Sequence, residues 1–222
     1  HLLGTDVLGR DTLSRLIHGA RTSLTVAVIA ILVAGSIGSL LGIAAGYLGG
    51  WVDVLIMRAA DLAFSFPTIL LAMVLAVVFG ASFLNIVLVI SLVLWAEYAR
   101  MARGESLKIK EMDYVALAQV AGCSKVSIML RHILPNVASS LIVLATLQVG
   151  VVIILESSLS FLGVGLPPPT PAWGSMVAEG RSYVVSAWWL SLVPGVAILV
   201  TVLSFNLLGD TLTELINPER QS

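Results

Sequence analysis

Apolar runs separated by short polar breaks set the rhythm of this chain. Residues 22–48 contain no Asp, Glu, Lys or Arg. The stretch 62–96 is also free of them and is divided by Gly80, Ala81 and Ser82. Further uncharged runs cover 137–155 and 190–208. About 20 apolar residues cross the hydrocarbon of a bilayer as a helix. The pattern predicts spans at 22–48, 63–79, 86–99, 137–155 and 190–208. The fold class is therefore all-α, a polytopic membrane helix bundle with about five spans.

The polar breaks predict how these spans join. Residues 1–21 carry Asp6, Arg10, Asp11, Arg15 and Arg21. They read as an interfacial lead-in helix capped by Asp11 or Thr12, with Leu13, Leu16 and Ile17 toward lipid or protein. Gly35, Ser36, Gly38, Ser39, Gly42, Ala45 and Gly46 crowd the second half of the first span. Two overlapping G-x-x-x-G patterns there predict a seam where helix backbones approach closely. Gly49, Gly50 and Trp51 mark a turn at an interface. Arg58 and Asp61 are spaced to pair on one helix face. Two readings of this pair stand side by side: an anchor at the membrane surface, or Asp61 in a transport path. Pro67 predicts a kink near the start of the second span. Asn85 is a candidate cap for the third span, and Glu97 and Arg100 are a candidate pair.

Six of the twelve Lys and Arg lie between Arg100 and Arg131. This basic island at 105–135 reads as a cytoplasmic loop. Asp113 predicts a cap for a helix over 114–121, which Gly122 ends. Ser124 caps a second piece and Pro135 stops it. The result is a rigid knob suited to docking. Tyr114, Val115, Leu117 and Val120 form its expected contact face, with Ala118 on or beside it. Lys125 and Arg131 matter less, because exposed ion pairs contribute only about 0–1 kcal/mol.

Asn136 is a candidate cap for the fourth span. Glu156 closes that apolar run, either bonded to amides of the 157–163 turn or lining the outer mouth of a path. Pro167, Pro168, Pro169 and Pro171 predict an extended segment, followed by a short helix over 175–182. Trp188 and Trp189 mark another interface, and Pro194 with Gly195 interrupts the last span. With the basic island in the cytoplasm, residues 1–21, the proline-rich loop, Glu179 and Arg181 fall outside. The C-terminal tail falls inside.

Composition narrows the function. The chain is 58% hydrophobic and 11% charged, with mean hydropathy +1.02. Soluble domains carry roughly 25% charged residues. The net charge of −1 gives no footprint for nucleic acid. Cys123 is the single cysteine, and the three histidines stand far apart. No cofactor or metal is expected, and no acid–base set for catalysis is visible. No G-x-x-x-x-G-K-[ST] phosphate loop occurs, so energy from ATP would have to come through a partner. A secondary transporter would favour an internal repeat and mid-membrane charge, neither of which is found.

Four stretches carry a family resemblance. Ala116-Leu117-Ala118, Gly122 and His132-Ile133-Leu134-Pro135 resemble the EAA loop of ABC importer permeases. Here Ala116 replaces the glutamate, Leu117 the first alanine and His132 an isoleucine. G-T-D-V-L-G-R-D at 4–11, F-L-G-V-G-L-P-P-P-T-P-A-W-G at 161–174 and N-L-L-G-D at 206–210 resemble permeases of the dipeptide, oligopeptide and nickel importers. The resemblance implies the type I transmembrane fold of ABC importers in the cell inner membrane. It implies a permease domain over 22–211, a coupling loop at 105–135, an external proline-rich loop at 157–189 and a cytoplasmic tail at 212–222. ATPase coupling would fall on Asp113, Tyr114, Val115, Ala116, Leu117, Ala118, Val120, Gly122, Ser124, Leu134 and Pro135. The implied partners are a second homologous permease, two cytoplasmic ATP-binding subunits and an external solute-binding protein. A further span ahead of His1 is expected. Dipeptides, oligopeptides, glutathione and nickel complexes all remain open as the solute.

Overall fold

The computed structural model describes residues 2–216, with side chains through Glu214. Helix α1 runs from Thr12 to Leu48, and Asp11 caps it by accepting the Ser14 amide at 2.8 Å. The predicted lead-in helix and first span are thus one helix. No proline interrupts 12–22, and the charged turns extend the apolar part without a break. At 1.5 Å per residue the helix is about 55 Å long, more than the hydrocarbon core requires.

Gly49 turns the chain into α2, Gly50–Phe64. Helix α3, Thr68–Phe79, follows at a bend of 93°. Pro67 therefore breaks the second span instead of kinking it, because it lacks an amide and disfavours helical geometry in the residue before it. Helix α4, Phe83–Lys110, is capped by Ser82, whose Oγ accepts the Asn85 amide at 3.2 Å. Asn85 is not the cap; its side chain donates to the carbonyls of Phe79 and Gly80. Helix α4 continues to Lys110, so residues 105–110 of the predicted loop are helical.

After the loop comes α5, Asp113–Val120, then α6, Lys125–Ile128. A π-helical turn over Met129–Ile133 joins α6 to α7, Leu134–Phe161. Together Lys125–Phe161 form one membrane-length rod. Pro135 does not stop it. The Leu134 amide reaches back to the Met129 carbonyl, and this widened turn accommodates a residue with no donor. Asn136 is inside the helix, where its side chain donates to the His132 carbonyl at 2.6 Å. Short α8, Trp173–Arg181, and long α9, Trp189–Ile216, complete the fold. Helix α9 passes through Pro194 without interruption. Of the expected tail, residues 217–222 lie outside the described residues.

The largest helix interface joins α1 to α4. Gly38 faces Tyr98, Gly42 faces Ala102, and Gly46 faces Ser106. Contacts that advance together along both helices make them parallel. The chain must recross between them, and the bent α2–α3 pair makes that return. Four helical stretches are long and apolar enough to span a membrane, and the bent pair makes a fifth if it is counted as one span. The main core joins Val26, Ala30 and Ala34 to Ile90 and Leu94 of α4 and Ile153 of α7. A second cluster, at the end bearing the loop, gathers Ile43, Tyr47, Ala102, Val115, Ile128 and Ile133.

Candidate functional site

Helix α5 has two faces of opposite character. Val115 is fully buried in the second cluster, and Ala118 packs against the same group. Gln119 reaches the Tyr47 hydroxyl at 3.5 Å. The other face is bare: Leu117 is 68% and Val120 87% exposed, with Tyr114 beside them. Tyr114, Leu117 and Val120 recur every three residues and share one side of the helix. The expected contact face is corrected on this point. Val115 belongs to the core and Ala118 faces it, because a short helix without partners must bury one side to stay docked. Ala116 is exposed at the flank.

The ends of α5 show which caps matter. Asp113 does not cap it; Met112 holds the extended N-cap position and Asp113 is the first helical residue. Gly122 has φ +78°, the left-handed conformation expected at a helix end. The Cys123 amide bonds to the Ala118 carbonyl at 3.1 Å, as in a Schellman closure. Ser124 caps α6 by accepting the Ser127 amide at 3.2 Å. Leu134 is half-buried and Pro135 exposed at the start of α7. Three further apolar residues of the loop, outside the predicted set, are also exposed: Met112, Val126 and Leu130. Their signal was present as apolar residues inside a basic loop.

The opposite end is fastened by polar groups. Glu156 is 0% exposed, so in this conformation it does not line an open mouth. Nor does it bond to turn amides. Its two oxygens accept from Ser23 at 3.0 Å and from Ser160 at 2.8 Å. Ser23 in turn accepts the Trp173 amide at 3.4 Å, and the Trp173 indole donates to the Leu16 carbonyl at 3.0 Å. The proline-rich segment thus folds back onto α1 and α7. Glycine allows its close seating: a Cβ on Gly174 would lie 2.5 Å from the Ser157 carbonyl oxygen. Before α1, Asp6 binds Arg10 and Arg15, while Arg15 also donates to Glu179 at 2.8 and 3.0 Å. Burial raises the Asp6 carboxyl. The Arg10 amide, the Arg15 and Arg10 guanidinium groups and the Leu8 amide outweigh it and hold the pKa at about 2.

The predicted charge pairs sort differently. Arg58 and Asp61 approach at 3.8 Å. Arg100 takes Asp61 at 3.0 Å and lies 4.1 Å from the Phe64 ring centre, so it does not pair with Glu97. Glu97 instead accepts from Gln148 of α7. Helix α4 is flanked by α2 and α7; Arg100 turns to the first and Glu97 to the second. Arg103 grips Asp53 with two bonds, at 2.5 and 2.6 Å.

The fold and the site define a polytopic membrane helix bundle with a protruding, half-docked helix. Residues 38–222 match the family of binding-protein-dependent transport system inner membrane components. The glutathione transport system permease protein GsiD of Pectobacterium atrosepticum is 42% identical over 222 residues, covering 100% of this chain and 74% of that protein. The probable D,D-dipeptide transport system permease protein DdpC of Escherichia coli K12 is 42% identical over 219 residues, 99% of this chain and 74% of that protein. The fold is similar to that of a chain in the inward-facing MetNI methionine ABC transporter, with a TM-score of 0.71 at 15% identity over 92% of this chain and 97% of that one. The chain belongs to this inner-membrane permease family of ABC importers. It is a transport subunit of the inner membrane, not an enzyme. Membership carries partnership with ATPase, permease and binding-protein components.

Proposed function

We propose that this chain forms half of the translocation path of an ATP-driven importer for peptides or a similar small solute. Relatives named for glutathione and for D,D-dipeptides support that solute class. The other half is a second homologous permease. Two ATP-binding subunits sit at the end bearing α5, which faces the cytoplasm, and a solute-binding protein meets the proline-rich end. One observation carries the coupling assignment: α5 buries Val115 against its own bundle and leaves Leu117 and Val120 bare. An apolar face on a charged loop requires a cover.

The test is disulfide cross-linking in membranes. A cysteine at Leu117 or Val120, in a Cys123→Ser background, should link to cysteines scanned across the ATP-binding subunit. Absence of a link at either position, with efficient linking at exposed positions elsewhere, rejects the docking face.

A further inference from the structure

Helix α2 stands apart from the packing that holds the other helices. Of its fifteen residues only Ala60 is fully buried. Trp51, Leu55, Arg58 and Leu62 are spaced four, three and four apart, so they form one stripe on the side opposite Ala60. All four are exposed; Trp51 is 76% exposed and the Arg58 side chain 78%. The 93° bend at Pro67 turns α2 away from the axis of α3. Asp53 and Asp61 tie it to Arg103 and Arg100, within two turns of Glu97, the first charge of α4.

The charges of this surface do not balance. Arg58 and Arg100 share one carboxylate, Asp61, and the Arg58 contact of 3.8 Å is too long for a hydrogen bond. A guanidinium set between an exposed tryptophan and exposed leucines suits an anionic phospholipid. Its N–H groups take phosphate oxygens in pairs. The indole occupies the headgroup layer, and Leu55 and Leu62 enter the acyl region. A soluble anion would leave that apolar stripe in water. We infer that α2 is a lipid-anchoring helix on which Arg58, with Arg100 beside it, binds the phosphodiester of an anionic phospholipid. The inference does not depend on which end of the bundle faces the cytoplasm.

Native mass spectrometry of the transporter, purified with its partner subunits, tests this by titration with phosphatidylglycerol or phosphatidylcholine. Phosphatidylglycerol should occupy the protein preferentially. Arg58→Gln should lower that occupancy by about threefold or more, through loss of one phosphate-facing charge. Arg58→Lys should retain most of it, and Lys108→Gln should leave it unchanged. Equal occupancy by the two lipids overturns the inference. So does unchanged phosphatidylglycerol binding in Arg58→Gln, the result expected if the second permease covers this stripe. Displacement of the lipid by millimolar inorganic phosphate would reassign the site to a soluble anion and also overturn it.

Discussion

A carboxyl group inside a membrane bundle needs donors, and Glu156 finds them in two serine hydroxyls on different helices. This makes it a fastening between α1 and α7, with the proline-rich segment hung from Ser23. Glu156→Ala leaves both hydroxyls without their acceptor and opens space, at a cost of about 2–4 kcal/mol. Glu156→Gln keeps an acceptor for one serine and offers a donor to the other, so it should cost about 1 kcal/mol. Thermal unfolding of the purified variants checks the order; an alanine variant as stable as Gln would remove the fastening role. The sequence showed that Glu156 was unusual but not why, because Ser23 is 133 residues away. Caps divide in the same way. Asp11, Gly122 and Ser124 act as read, since each role is set by its own backbone. Asp113, Asn85 and Asn136 do not, because each already lies inside a helix whose start is set by earlier residues. Three prolines have three outcomes: Pro67 breaks, Pro135 is absorbed by a widened turn, and Pro194 is tolerated. The surrounding helix decides each, and proline alone does not announce it.

At the scale of elements, the stripe of small residues in α1 was legible, while its partner was not. The glycines predict a close approach, and α4 supplies the surface with Tyr98, Ala102 and Ser106. A Cβ on Gly42 would stand 2.8 Å from the Ala102 Cβ and closer still to the Ala99 carbonyl. Backbone cannot yield there as a flexible side chain can. Gly42→Ala should therefore destabilise the bundle by about 1–3 kcal/mol, despite alanine's better helix propensity. The companion Gly104→Ala, in a helix with open space around that position, should be neutral or mildly stabilising. Thermal unfolding of both variants in one detergent separates them, and equal effects would mean that the seam tolerates extra volume. Helix lengths were the least legible property. Hydropathy sees only the part of a helix that lipid covers, whereas α1, α4 and α7 extend beyond it through polar turns.

The parallel pairing of α1 with α4 places the C-terminal ends of both helices beside the second cluster, which also holds Val115, Ile128 and Ile133. On the proposed reading, that cluster is the joint between an ATPase-facing helix and the spans. A ligand shifts a two-state equilibrium only by its difference in interaction with the two states. Force applied to α5 must therefore travel through Val115 and Ala118 into α1, α4 and α7. The two faces of α5 can be separated by mutation. Leu117→Asp changes an exposed side chain and leaves the joint intact. It should spare folding and weaken docking by about 2 kcal/mol, as loss of a central apolar anchor does. Solute-stimulated ATP hydrolysis should then fall by about tenfold or more, while the melting temperature stays unchanged. Ala118→Asp instead drives a charge toward the apolar cluster. It should lower the melting temperature as well as the activity. Measuring both quantities on both variants in reconstituted transporter decides the matter. If Leu117→Asp retains full solute stimulation, the bare face of α5 is not where the ATP-binding subunit takes hold.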